Sequence, residues 1–136
     1  MPLKLAFYSK IILYLLKSKS TMSIQIENND KYSVIKITAE KLDSNLAPSL
    51  KSELVVLNTD GVKNIIIDMT DARYCDSSGL SAILVANRLC KNSNGHIVLA
   101  GLQDSVRKLI VISQLDTILT ITDTVSEAKD KLSVLA

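Results

Sequence analysis

A chain of 136 residues, rich in Ile, Leu and Val and poor in aromatics, fits one soluble α/β domain with a proper core. Its formal net charge of +2 misleads: Lys4, Lys10, Lys17 and Lys19 lie in the first 21 residues, and from Met22 onward twelve Lys/Arg stand against fourteen Asp/Glu, a net of −2. A mildly acidic domain without a basic run argues against nucleic-acid binding. Cys75 and Cys90 show no metal-like or redox-like spacing and His96 is the single histidine, so neither a zinc site nor a disulfide framework is expected, and a reducing compartment is.

Residues 1–21 form an apolar and basic extension ahead of a domain spanning 22–136. The apolar part, Leu5 to Leu16, is interrupted by Ser9 and Lys10. It falls short of the roughly 20 apolar residues of a spanning helix. Met22 stands directly before the first alternating segment and reads as the true initiator. Two other readings are an interfacial basic anchor and a secretory signal, the latter without a small-residue cleavage site. A membrane role is therefore not expected unless residues 1–21 are a real anchor.

From Ser23, polar and apolar residues alternate to Glu27, and again from Tyr32 to Thr38, with a turn at Asn28 to Lys31; this predicts a hairpin. Ala39 to Asn45 reads as a polar loop. Leu46, Leu50, Leu54 and Leu57 recur at helical spacing, Pro48 suits a first turn, and Gly61 suits a left-handed stop. Ile65 to Met69 is a buried strand, and Asp68 to Asp76 a loop. A helix is predicted from about Ser78 to Asn92, ending at Asn94-Gly95. His96 to Ala100 is a second buried strand. A third helix starts at Gln103 or Asp104, with Val106, Leu109 and Ile110 on one face. A short strand, Ile118 to Ile121, precedes a last helix capped by Asp123 or Thr124. The order ββαβαβαβα implies an α/β fold, a mixed, mostly parallel sheet with helices packed against it.

The chemistry-bearing stretch is Cys75-Asp76-Ser77-Ser78-Gly79-Leu80-Ser81, at the start of a helix. A serine there can be a cap, a nucleophile or a phosphate acceptor. The nucleophile reading is weak: only one glycine of a Gly-x-Ser-x-Gly elbow is present, and His96 opens a buried strand. There is no phosphate-binding glycine loop with Lys-Ser/Thr either. On a helical wheel, Gly79, Ala82, Ile83, Ala86 and Cys90 share an apolar arc. Ser77, Leu80, Ser81, Leu84, Arg88 and Lys91 share the opposite stripe. Two leucines beside a modifiable serine read either as a protein-docking surface or as side chains covered by a neighbouring loop.

The run Tyr74-Cys75-Asp76-Ser77-Ser78-Gly79-Leu80-Ser81-Ala82-Ile83-Leu84 resembles the motif of the STAS domain family, and more narrowly that of stand-alone bacterial anti-sigma factor antagonists. Lys41-Leu42-Asp43 is similar to the family's Gly-x-Leu-Asp loop, with Lys41 preceded by Ala39-Glu40 where a glycine is usual. Gly101 to Leu109 is similar to its next strand-to-helix segment. The resemblance implies a STAS fold and a cytoplasmic regulator that is not itself an enzyme. Unmodified, it would bind an anti-sigma factor that is also a serine kinase of the histidine-kinase-like ATPase fold. Phosphorylation of Ser77 would release it, and a PP2C-type phosphatase would restore it. ATP would belong to that kinase, and no cofactor or metal to this chain. Asp43, Asp76, Ser77, Ser78, Gly79, Leu80, Ser81, Leu84 and Arg88 are then the expected partner-binding residues. A non-switching STAS subunit of a lipid-transport or other signalling complex is the alternative, and a serine hydrolase the remote one.

Overall fold

The computed structural model describes residues 23–135. The readings made for residues 1–21 and for Met22 lie outside that range. Strands β1 (Ile24–Asn28) and β2 (Ser33–Ile37) form the expected hairpin, with Ile24 opposite Ile37 and Ile26 opposite Ile35. Its turn is held by the Asn29 carboxamide oxygen, which accepts the N–H groups of Lys31 and Tyr32 at 2.8 Å each. With β4 (Ile65–Asp68), β6 (Ile97–Ala100) and β7 (Thr120–Thr122) they make one sheet in the order β1-β2-β4-β6-β7. β1 is antiparallel to β2, and all the other pairings are parallel.

Helices α1 (Ala47–Thr59), α2 (Ser77–Asn92), α3 (Asp104–Ile112) and α4 (Val125–Leu135) cover the sheet unequally. Ile35, Ile37, Ile65, Ile67 and Leu99 point into the larger core with the buried residues of α1, α2 and α3. Val34, Ile66, Val98 and Ala100 face Ala128 and Leu132 of α4. The central strands are thus buried on both faces, which is why they read as continuous apolar runs rather than alternations. At the start of α4, Thr124 Oγ1 accepts the Glu127 N–H (3.1 Å) while Glu127 accepts the Asp123 N–H (3.2 Å), a reciprocal cap. Among the described residues no helix is long and apolar enough to cross a membrane.

Two expectations need correction. Lys41–Leu42 and Tyr74–Cys75 are not loop: they pair in parallel as β3 and β5, a separate two-stranded ribbon. Two residues per strand leave no periodicity for the pattern to show. Asn94, at φ 59°, takes the left-handed position after α2, within the Asn94-Gly95 stop that the sequence predicts. The last strand begins at Thr120 because Gln114 (φ 60°) breaks α3 and a 3-10 turn over Leu115–Thr117 uses the next residues.

Candidate functional site

The segment leading from β4 to α2 is anchored on two sides. Asp68 Oδ1 accepts the Thr70 N–H (3.0 Å) and the Thr70 hydroxyl (2.6 Å), which folds the chain back at the end of β4. From α3's side, Gln103 donates to the Thr70 carbonyl (2.6 Å) and the Ser105 hydroxyl donates to the Arg73 carbonyl. From β3's side, the Glu40 carbonyl accepts the N–H groups of Arg73 (2.8 Å) and Tyr74 (3.1 Å), and the Leu42 carbonyl accepts that of Asp76 (3.3 Å). These contacts fix the N-terminus of α2 near the carboxyl ends of the parallel strands, where open α/β sheets place their sites.

Asp76 is the N-cap of α2, with extended backbone, and its Oδ1 accepts the Gly79 N–H at 3.0 Å. The Leu80 N–H donates to the Asp76 carbonyl at 3.0 Å. The cap is thus Asp76 and not the serine after it. The helix starts at Ser77, one residue earlier than the pattern predicts. Ser77 is exposed, and its hydroxyl makes no hydrogen bond among the described residues; Ser78, beside it, is half-buried. Gly79 is pressed against the ribbon: a methyl there would overlap the Leu42 carbonyl oxygen and stand 2.6 Å from Cys75 Sγ.

Apart from Ser78, the expected partner-binding residues divide into three groups. Ser77, Ser81 and Arg88 are exposed on one stripe of α2, with Leu84 half-buried beside them. Asp43 and Asp76 are half-buried and leave the ribbon side by side, each following one member of the Leu42–Cys75 pair. Asp43 also folds the turn that precedes α1: its Oδ1 accepts the Asn45 N–H (3.0 Å) and its carbonyl accepts those of Leu46 (3.1 Å) and Ala47 (2.8 Å). Gly79 and Leu80, by contrast, are buried, Leu80 at 9 % exposure within the larger core. They serve packing and do not belong to a free surface. The wheel misplaced Leu80 because α2 packs against α1 and β5 as well as the sheet, which turns its buried arc toward Leu80 and Asn87. Sequence reasoning passed over Tyr74, which is 51 % exposed and lies opposite the exposed Lys41 on the ribbon's outer side. Only knowledge of the ribbon pairing would have singled it out.

The single histidine is not placed to act on Ser77. His96 lies beyond the other end of α2, a helix of 16 residues and so ~24 Å long. Its backbone N–H is held by Asn64 Oδ1 at 2.9 Å. The nearby Cys75 thiol is pushed up to about 12, by burial first and by the Asp76 charge second. Among the described residues no group of His, Cys, Asp and Glu could hold a metal ion.

Residues 23–128 match the STAS domain family. The anti-sigma-B factor antagonist of Listeria monocytogenes is 30% identical over 100 residues, covering 74% of this chain and 88% of that protein. An anti-sigma factor antagonist from Mycobacterium paratuberculosis superposes with a TM-score of 0.73 at 19% identity, over 81% of this chain and 92% of that one. The anti-sigma factor antagonist SpoIIAA in its unphosphorylated form gives 0.66 at 22% identity, over 81% and 97%. The Bacillus cell fate determinant SpoIIAA in its phosphorylated form gives 0.64 at 23%, over 79% and 97%.

Proposed function

The chain belongs to the STAS domain family, and from that premise we propose that it is a cytoplasmic anti-sigma factor antagonist switched by phosphorylation of Ser77. Unmodified, it binds an anti-sigma factor that is also a serine kinase of the histidine-kinase-like ATPase fold, and so frees a sigma factor for transcription. The kinase supplies the ATP, phosphorylation ends the complex, and a PP2C-type phosphatase reverses it. The observation that carries this reading is the state of Ser77: exposed and without a hydrogen bond, because Asp76 has taken the capping role. The half-buried Ser78 is the poorer acceptor of the two.

A phosphate on Ser77 adds about −1.5 to −2 charges at pH 7. The first helical turn tolerates it, through the macrodipole and N–H groups that no residue has claimed, so the fold survives modification. A partner surface fitted to a neutral hydroxyl, beside Asp43 and Asp76, would instead have to desolvate a dianion. The switch therefore acts at the interface and needs no rearrangement of the domain.

The test is peptide mass spectrometry on protein from its own cells, growing and stressed, with phosphatase inhibitors, followed by affinity capture. Phosphate is expected on Ser77 in an amount that changes with condition. Ser77→Ala should retain an ATPase-fold partner that Ser77→Asp holds at least about tenfold more weakly, a difference of ~1.4 kcal/mol. A chain unmodified at Ser77 in both conditions, with equal capture by the two variants, would overturn the reading.

A further inference from the structure

The ribbon that braces α2 has an outer face of its own. Side chains alternate between the two sides of a strand. Leu42 and Cys75 are the buried pair, so Lys41 and Tyr74, paired one residue earlier, project from the other side. Asp76, with its extended backbone, continues the Tyr74 side, and Ser77 follows it directly. The outer face of the ribbon thus runs into the exposed stripe of α2.

Tyr74 is the unusual residue on that face. Of the five aromatic side chains in the sequence, only Tyr32 and Tyr74 fall within residues 23–135. Tyr32 is half-buried and packs against the smaller core. Tyr74 belongs to neither core and is 51 % exposed. Its backbone is nonetheless fixed: its N–H and that of Arg73 donate to the Glu40 carbonyl, and the next residue, Cys75, is buried. Among the described residues no hydrogen bond engages the Tyr74 hydroxyl and no ion pair engages the Lys41 ammonium. Single exposed apolar side chains are common on protein surfaces. Tyr74 differs in standing on a paired strand three residues before Ser77. A tyrosine held this way offers a large, amphipathic contact at little ordering cost, which is why tyrosines recur among the residues that dominate interface energies.

We infer that the outer face of the ribbon is a contact surface for the anti-sigma factor, with Tyr74 as its anchor. The partner offers the ring an apolar slot, with a carboxylate at the rim for Lys41. The occupant follows from continuity and charge. Three residues of extended chain span about 10 Å. A standard interface covers about 800 Å² of each partner, a disc of roughly 16 Å radius. A protein seated over Ser77 therefore also covers Tyr74 and Lys41, and Lys41 is the cation on a ribbon that otherwise carries Asp43 and Asp76. The inference rests on the partner proposed above. It adds that Tyr74 sets how tightly the unmodified chain is held, whereas Ser77 sets whether it is held at all.

Affinity capture with the full Ser77→Ala chain, read by mass spectrometry, identifies the ATPase-fold protein. Calorimetric titration of that purified protein then compares variants made in the same Ser77→Ala chain, where phosphorylation cannot intervene. Tyr74→Ala should raise the Kd at least about tenfold. Tyr74→Phe, which keeps the ring, should stay within about threefold of the parent, and Lys41→Glu should weaken binding about threefold or more. Urea unfolding of all three variants should match the parent, as for exposed side chains outside the core. A Kd unchanged by Tyr74→Ala would overturn the inference and leave the proposed function standing, and so would a Tyr74→Ala effect confined to the chain's own sedimentation, which assigns the face to a second copy. A loss in Tyr74→Phe as large as that in Tyr74→Ala would overturn the apolar slot. Retention of no ATPase-fold protein by the Ser77→Ala chain would overturn the proposed function and the inference together.

Discussion

The two ends of α2 solve the same problem by different means. Each brings a glycine against a backbone carbonyl: Gly79 against Leu42 at the N-terminal end, Gly95 against Lys63 at the C-terminal end. Each must also satisfy the free groups of a helix terminus. At the C-terminal end the backbone does this alone, with the N–H groups of Ser93, Asn94 and Gly95 turned back onto the last carbonyls. At the N-terminal end a side chain does it, Asp76 Oδ1 accepting from Gly79. The difference matters for function. Because the aspartate is the cap, the serine after it makes no hydrogen bond that the proposed phosphorylation would break.

The glycine contacts give the largest expected effects. At Gly95 an added methyl would overlap the backbone carbonyl oxygen and carbon of Lys63 and crowd its Cβ as well. At Gly79 it meets one carbonyl oxygen and the more yielding Cys75 side chain. Overpacking of this kind costs typically 1–3 kcal/mol. Gly95→Ala should therefore lose about 3 kcal/mol in urea denaturation and Gly79→Ala about 2 kcal/mol. Only the Gly79 variant should also disturb partner capture, because its strain is released into the ribbon that carries Asp43 and Asp76. Equal losses, or partner capture lost in the Gly95 variant alone, would break the comparison.

The contrast also explains what could be read in advance. The five main strands and four helices follow from residues such as Ile65-Ile66-Ile67 and the Leu50, Leu54 and Leu57 series, whose periods are long enough to show. The Asp76-Ser77 motif and its place at a helix start are local, and were legible for the same reason. The ribbon was not, since Lys41-Leu42 and Tyr74-Cys75 are joined only by tertiary pairing across 33 positions of sequence. The burial of Leu80 and Asn87 was hidden too. A helical wheel assumes one covering surface, whereas α2 has the sheet on one side and α1 on another. The stripe that reads as a docking face therefore loses Leu80 and keeps Ser77, Ser81, Leu84, Arg88 and Lys91.

A finer test separates Asp76 from Ser77 at the same helix end. Asp76→Ala removes the cap and should cost ~1 kcal/mol of stability. Asp76→Asn, which caps about as well, should be nearly neutral. Ser77→Ala should stay within about 0.5 kcal/mol of the parent, as for an exposed side chain without partners. Thermal or urea unfolding of the three variants checks the order. A loss at Ser77→Ala as large as that at Asp76→Ala would mean that the serine has a structural duty after all.

The smallest effect concerns the two thiols, one at each end of α2. Both are pushed up to about 12, Cys90 by burial and Cys75 by burial with a further contribution from the Asp76 carboxylate. A thiol whose pKa is higher folded than unfolded keeps its proton in the native state at pH values where the unfolded chain has lost it. Its contribution is thus fully present below the ordinary thiol pKa of 9.0, and is lost as pH climbs from there toward 12. Urea midpoints of the parent should accordingly fall between pH 8 and pH 10 more than those of a Cys75→Ala/Cys90→Ala double variant. The Asp76 contribution distinguishes the two ends: Asp76→Asn removes a negative charge beside Cys75 only. Iodoacetamide labelling of native Asp76→Asn protein at pH 8.5 should therefore quicken slightly at Cys75 and not at Cys90. Equal quickening at both would show that the substitution had loosened the whole helix, and that Asp76 holds more of α2 in place than its own first turn.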